Sequence, residues 1–197
     1  MSETVTMGWH ILDRMERAVM KVRERLLRAT SILNAAQIPY AVVGGNAVAS
    51  WVATIDEGAV RNTRDIDLLI RRDDLPAVTD ALSQAGFIRE EVLDVIMFLD
   101  GPEAKPSESI HLLFAGEKTR TDHLLPAPAL ETADDPAGFR VIKLESLVVM
   151  KLLSNRRKDQ VHVQDLIDVG LIDDSWLSRV PAELADRLRI VLATPDG

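Results

Sequence analysis

Two aspartates inside an apolar segment are the residues of this chain best suited to chemistry. Asp65 and Asp67 lie in the stretch RDIDLLI, where the remaining residues from Ile66 to Ile70 are aliphatic. Residues two apart in a strand share a face and lie about 6–7 Å from each other, so their carboxylates repel unless something positive lies between them. A divalent cation is the simplest such partner, because hard cations prefer carboxylate oxygens. An edge strand with two solvated aspartates is the alternative interpretation.

A glycine pair lies about twenty residues upstream of these aspartates. The apolar run YAVV, from Tyr40 to Val43, ends at Gly44 and Gly45, and Asn46 then opens a segment with helical spacing of apolar residues. The predicted order is strand, glycine turn, helix. Backbone N–H groups at a helix N-terminus form a phosphate site when glycines allow close approach. A simple turn between a strand and a helix is the alternative here.

Together these residues resemble the nucleotidyltransferase superfamily, whose signature is an apolar strand, a glycine turn into a helix, and Asp-apolar-Asp on the next strand. The segment RNTRDID is similar to the branch that contains AbiEii-type toxins and related small stand-alone nucleotidyltransferases. A downstream segment, VIKLESLVVMKLLSNRRKDQVHVQDLIDVG, resembles the same branch in a Met-Lys helix, a basic turn and a Lys-Asp pair. The corresponding residues are Lys151, Arg156, Lys158, Asp159 and Asp165.

The resemblance implies a fold, a cofactor and a set of site residues. The implied fold is a short mixed sheet flanked by helices, the implied cofactor is Mg²⁺ or Mn²⁺, and the implied substrate is an NTP. Asp65 and Asp67 would hold the metal and, with Lys151, form the catalytic set. The nucleotide-binding residues would be Gly44, Gly45, Asn46, Arg61 and Thr63.

The chain departs from this family pattern in two places. The spacer before the aspartates contains IDEGA, which is interpreted as an inserted loop, and the strand SIHLLFAG carries His111 where the family has a third carboxylate. A neutral imidazole ligates Mn²⁺ or Zn²⁺ but is a poor ligand for Mg²⁺. Alternatively, His111 is an imidazolium paired with the two aspartates. Among the carboxylates that could replace the missing one, Asp100 is best placed in the sequence.

Composition limits the remaining possibilities. The chain has 197 residues, a net charge of −8 and no cysteine, which excludes disulfides, zinc–thiolate sites and thiol nucleophiles. An acidic chain disfavours a broad, non-specific nucleic-acid surface. The basic cluster Arg156 to Lys158 is the candidate contact for a triphosphate or a polynucleotide backbone. No apolar run reaches the length of a membrane span, so a cytoplasmic protein without a membrane partner is expected.

Apolar periodicity predicts alternating elements in the first two thirds of the chain and helices alone thereafter. Helices are expected over 9–37, 46–54, 73–86, 144–154, 160–169 and 181–192, and strands over 40–43, 66–70, 87–88, 92–99 and 110–115. Residues 116–140 contain three prolines and are expected to be irregular. The predicted fold class is α/β (α+β), with a core over 1–140 and a helical part over 141–197 packed on it.

Three functional hypotheses follow. The first is a metal-dependent nucleotidyltransferase that moves a nucleoside monophosphate from an NTP to a hydroxyl of RNA, protein or a small molecule, and that is toxin-like with a cognate antitoxin as partner. The second is a degenerate protein of the same fold that binds nucleotide or a partner without turnover, because His111 replaces the third carboxylate. The third is an unrelated α/β interaction module.

Overall fold

A seven-stranded mixed sheet forms the centre of the computed structural model, which describes residues 3–194, without the side chains of residues 3–9 and 107. The strand order across the sheet is β3-β4-β5-β2-β1-β7-β6. The strands are β1 (Ala41–Val43), β2 (Ile66–Ile70), β3 (Ile88–Val92), β4 (Val95–Leu99), β5 (Ile110–Phe114), β6 (Thr132–Asp134) and β7 (Arg140–Ile142).

Six α-helices accompany this sheet within the described residues. They are α1 (Glu3–Ala35), α2 (Gly44–Ala53), α3 (Leu75–Gln84), α4 (Leu144–Ser154), α5 (Arg157–Asp168) and α6 (Ala182–Leu192). Helix α2 packs on β1 and β2 and contacts α4 and α5, while α1 packs on α3. None of the helices within residues 3–194 is long and apolar enough to cross a membrane.

The central strands bury both faces, which explains their near-continuous aliphatic sequences. In β2, Ile66, Leu68, Leu69 and Ile70 are completely buried, whereas Asp67 is only partly buried. These side chains belong to one apolar core that also takes in residues of α4, α5 and α6. A partly buried carboxylate in such a strand lies where the sheet meets an opening to solvent.

Strand register brings three distant segments together at this point. β1 pairs antiparallel with β2 and places Val43 opposite Asp67, and β5 pairs parallel with β2 and places His111 opposite Asp67. The C-terminal end of β1, and Gly44 after it, therefore meet the N-terminal ends of β2 and β5. His111 and Asp67 are therefore neighbours on adjacent strands.

The predicted fold class, a mixed sheet core flanked by helices, is confirmed, with differences in detail. Residues 116–140 are not wholly irregular, because β6 lies within them and forms an antiparallel hairpin with β7, which extends the sheet beyond β1. The predicted division at residue 140 passes through β7 and stays a prediction. Helix α5 begins at Arg157, three residues before its predicted start, because the side chain of Asp159 accepts a hydrogen bond from the backbone N–H of Arg156 and caps the first turn. The IDEGA segment forms a short 3₁₀ turn, Glu57–Ala59.

Candidate active site

Gly44 and Asp67 are in direct contact at the end of β1. Gly44 is the first residue of α2 and has a φ of +68°, a left-handed conformation that favours glycine. A Cβ atom at this position would lie 2.1 Å from Oδ2 of Asp67. The glycine therefore both makes the turn and leaves the space that the Asp67 carboxylate occupies.

The next two residues of the turn hold the loop that precedes β2. A Cβ on Gly45 would lie 2.9 Å from the Cβ and the hydroxyl of Thr63, so the threonine packs directly against the glycine backbone. The side-chain amide of Asn46 donates to the carbonyl of Asp65, with 2.7 Å between the two atoms. Gly45 and Asn46 thus hold the segment that contains Thr63 and Asp65 against the start of α2.

His111 is positioned between Asp67 and Ser109. Its Nδ1 lies 3.5 Å from Oδ1 of Asp67, and its Nε2 lies 3.1 Å from the Ser109 hydroxyl. That hydroxyl donates its single proton to the carbonyl of Pro106 over 2.7 Å, so it accepts from Nε2. The hydrogen bond to Asp67 raises the pKa of His111 against the opposing effect of burial, and the charges of Asp67 and Asp65 raise it further.

Lys158 lies on the other side of the aspartate pair. Its Nζ is 3.8 Å from Oδ2 of Asp65, and both side chains remain substantially exposed. Together with His111, Lys158 supplies positive charge next to both carboxylates. The repulsion expected between Asp65 and Asp67 is therefore relieved by protein groups in this structure.

Lys151 is buried and committed to a network on α4 and α5. It is only 5% exposed, and its Nζ lies 3.3 Å from Oδ1 of Asp159 and 2.9 Å from Nδ1 of His162. Asp159 is 1% exposed and also accepts from Nε of Arg156 over 2.7 Å. Burial lowers the pKa of Lys151, and the neighbouring Asp159 opposes that change. Burial raises the pKa of Asp159, but Arg156 and Lys151 outweigh it and leave the pKa below its usual value.

A large open cleft connects these groups. Its volume is about 1180 Å³, and its lining includes the Gly44–Gly45 turn, the aspartate pair, the β3–β4 turn, residues 117–123 and the start of α5. Seven Lys or Arg and six Asp or Glu residues line it, although the whole chain carries eight more acidic than basic residues. The cleft is therefore less acidic than the rest of the protein and suits an anionic ligand.

Two sequence predictions about this region need correction. Arg61 does not line the cleft, because its Nε donates to Asp165 over 2.7 Å in a separate, smaller depression next to α5. Asp100 does not replace the third carboxylate either. Asp100 follows β4 and does not line the cleft, and it forms ion pairs with Arg28 and, at 3.5 Å, with Arg25 of α1.

Several cleft residues were not singled out by the sequence. His162 and His123 both line the cleft, as do Leu93 and Asp94 at the β3–β4 turn. Both turn residues have positive φ, and Leu93 is 93% exposed. The signal for His162 was its spacing, because residues three apart on a helix share a face and His162 follows Asp159 by three.

The side chains around the aspartate pair include few metal-binding groups. No group of three or more His, Cys, Asp or Glu side chains within the described part of the chain is close enough to hold a metal ion. Mg²⁺ is commonly bound through only one or two carboxylates, with the substrate's phosphates completing its shell. Asp65 and Asp67 fit that arrangement, with the phosphates held beside them.

No protein-family model and no curated protein sequence matches this chain. Solved structures do. The crystal structure of ANT(2")-Ia in complex with adenylyl-2"-tobramycin is 14% identical, covers 90% of this chain and 99% of its own, and has a TM-score of 0.51. The lincomycin-bound lincosamide antibiotic adenylyltransferase LnuA is 11% identical, covers 71% of this chain and 92% of its own, and has a TM-score of 0.50. At these identities the similarity establishes the fold, which is the one that nucleotidyltransferases have.

Proposed function

We propose that this protein is a metal-dependent nucleotidyltransferase that moves a nucleoside monophosphate from an NTP to a hydroxyl acceptor. The observation that carries the proposal is the contact between Gly44 and Asp67, which brings the start of α2 against a carboxylate pair at the mouth of the cleft. A triphosphate is bound by backbone N–H groups at a helix N-terminus and by a divalent cation that carboxylates hold. Groups of both kinds are adjacent here.

In the proposed reaction the acceptor hydroxyl oxygen attacks the α-phosphorus. A new oxygen–phosphorus bond forms, the bond to the bridging oxygen of the β-phosphate breaks, pyrophosphate leaves and the hydroxyl proton passes to solvent. Asp65 and Asp67 would hold Mg²⁺ or Mn²⁺, which when bound polarises the α-phosphate and stabilises the attacking and leaving oxygens. The Gly44–Gly45 turn orients the phosphates.

Positive side chains on α5 and on the turn before it support binding of the triphosphate. Arg156 and Lys158 line the cleft with about half of each side chain exposed. Lys158 contacts Asp65, so a nucleotide phosphate and its cation would exchange partners with this ion pair. Catalysis of phosphoryl transfer rests mainly on such positioning and charge neutralisation.

The acceptor is proposed to occupy the half of the cleft near residues 117–123 and the β3–β4 turn. The cleft exceeds the ~300–1,000 Å³ typical of a site for one small ligand, so it has room for a nucleotide and part of an acceptor. The two structural neighbours are an adenylyl-tobramycin complex and a lincomycin complex, which makes hydroxylated small molecules one acceptor class to test. Hydroxyl groups of RNA and of proteins are the other two acceptor classes. A toxin-like role with a cognate antitoxin would go with either of these two classes.

A labelled-nucleotide transfer assay tests the proposal. The protein is incubated with each α-labelled NTP, with Mg²⁺ or Mn²⁺, and with total RNA, lysate protein or a panel of hydroxylated small molecules. Label should appear on one acceptor class with wild type and not with Asp67→Asn. Label that persists in Asp67→Asn would contradict the assigned site.

A second candidate function is favoured by one observation. His111 stands where the family has a third carboxylate, and it lies close enough to Asp67 to pair with it. A protein with this site could bind a nucleotide without turnover. Nucleotide binding in calorimetry, combined with no label transfer to any acceptor and with either metal, would favour this alternative over the enzyme.

A further inference from the structure

His162 is the cleft residue whose hydrogen bonding is most tightly defined by its surroundings. Its Nδ1 lies 2.9 Å from Nζ of the buried Lys151, which in turn contacts the buried carboxylate of Asp159. A lysine ammonium has three donors and no lone pair to accept a hydrogen bond. Nδ1 of His162 is therefore the acceptor, and the ring proton resides on Nε2.

Nε2 faces a different environment from Nδ1. It has no hydrogen-bond partner among residues 3–194, and the ring of His162 lines the cleft. Burial, together with the charge of Lys151, lowers the pKa of His162 to about 4, so the ring is neutral near pH 7. The charged groups that surround the ring are Lys151, Asp159, Lys158 and Arg156. The result is one fixed N–H donor on a residue that lines the cleft.

Lys151 itself is poorly placed to contact a nucleotide. Its side chain is 5% exposed, and its ammonium is already engaged by Asp159 and His162. A direct contact would require the ammonium to leave a buried carboxylate, which carries a large desolvation cost. Through the imidazole, however, the ammonium polarises Nε2–H and makes it a stronger donor than in an isolated neutral histidine.

We propose that His162 is a nucleotide-binding residue that donates Nε2–H to an anionic phosphate oxygen. Through this hydrogen bond, the charge of Lys151 favours the phosphate without contacting it. The inference rests on the proposed function, because it takes the ligand to be an NTP. Lys151 then acts as a positioning residue. A phosphate is favoured over a base because Lys158, four residues earlier on the same helix, is also at the cleft and already contacts Asp65.

Calorimetry with the full chain tests the contact. The probes are the four NTPs and inorganic tripolyphosphate, each with Mg²⁺ and without an acceptor. His162→Phe removes the donor and should weaken binding of all five probes by about tenfold to a hundredfold, the usual effect of losing a charge-assisted hydrogen bond. His162→Gln places an amide N–H near the position of Nε2 and should recover part of the loss. His10→Phe, on the exposed part of α1, is the matched control and should bind like wild type.

Two further measurements separate a binding contact from a structural role. Lys151→Met should weaken binding in the wild-type background but add little in the His162→Phe background, because both changes interrupt one chain of hydrogen bonds. ¹⁵N NMR of the free protein at pH 7 should show the ring proton of His162 on Nε2. A proton on Nδ1 would overturn the proposal.

The outcomes distinguish this inference from the proposed function. If wild type binds no NTP and no tripolyphosphate, the proposed function fails and the inference falls with it. If wild type binds the probes, and both His162→Phe and His162→Gln bind them as tightly as wild type does, only the inference about His162 fails. A defect confined to one NTP and absent with tripolyphosphate would mean that His162 contacts the base, which also overturns the phosphate contact.

Discussion

Replacing Gly44 with alanine is expected to disrupt the candidate active site at a single carboxylate. The left-handed backbone at φ +68° costs an alanine about 1–2 kcal/mol. The new methyl group would also lie 2.1 Å from Oδ2 of Asp67, so the carboxylate or the start of α2 must move. Overpacking of this kind typically lowers the free energy of unfolding by a further ~1–3 kcal/mol.

Gly170 provides a matched control for the backbone part of this effect. It has a φ of +77°, and a Cβ there would meet no atom within 4 Å. In a chain of this size, 1 kcal/mol corresponds to a change in Tm of about 2–4 °C. Gly170→Ala should therefore lower Tm by about 2–8 °C, and Gly44→Ala by a further ~2–12 °C.

Scanning calorimetry and the transfer assay, run on both variants, decide the matter. Millimolar Mn²⁺ should raise the Tm of wild type and of Gly170→Ala, because a ligand that binds only the folded state stabilises it. Gly44→Ala should show no such rise and no label transfer, since its Asp67 carboxylate is displaced. Equal Tm values for the two variants, or an unchanged response of Gly44→Ala to Mn²⁺, would refute the assigned contact.

Four other predictions follow from the site. Asp67→Asn should abolish transfer and the rise in Tm with Mn²⁺, because it removes a charged metal ligand; equal metal responses would contradict a metal site. His111→Asp should strengthen Mg²⁺ binding in calorimetry, because an oxygen ligand replaces a positive group that competes with the metal for Asp67. Lys151→Met should lower the free energy of unfolding in urea by about 1–3 kcal/mol, because it leaves a buried acceptor on Asp159 with one partner fewer. The pKa of His162 is about 4 in the folded protein and near 6.5 in the unfolded chain, so between these pH values the unfolded state binds more protons. The free energy of unfolding should therefore fall as the pH drops from 6.5 to 4. His162→Phe should reduce that fall.

The centre of the site was accessible from sequence because it depends on short-range rules. A strand alternates its side chains, so Asp65 and Asp67 were expected on one face, although β2 itself begins at Ile66. A turn from a strand directly into a helix favours glycine, which indicated Gly44. The aliphatic run around His111 identified a strand, and its register beside Asp67 follows once that strand pairs in parallel with β2.

The parts that the sequence did not predict depend on long-range contacts. β6 and β7 are three residues each, too short for periodicity, and they become strands only because β7 pairs with β1 about a hundred residues earlier. Asp100 follows an apolar strand just as a metal ligand would, but Arg25 and Arg28, more than 70 residues away, determine its role. No local pattern carries that information.

The charges around the two aspartates bear on how a metal binds. From the sequence, a divalent cation is the simplest partner for two carboxylates that repel each other. The structure supplies two protein groups instead, with Lys158 3.8 Å from Asp65 and His111 3.5 Å from Asp67. A divalent ion must therefore compete with both, and metal should bind more weakly alone than together with a nucleotide. A nucleotide changes that balance, because its phosphates can take over Lys158 and add oxygen ligands beside the aspartates. Metal and NTP are consequently expected to bind cooperatively. Helix α5, which carries Lys158, then contributes to the candidate site together with the sheet.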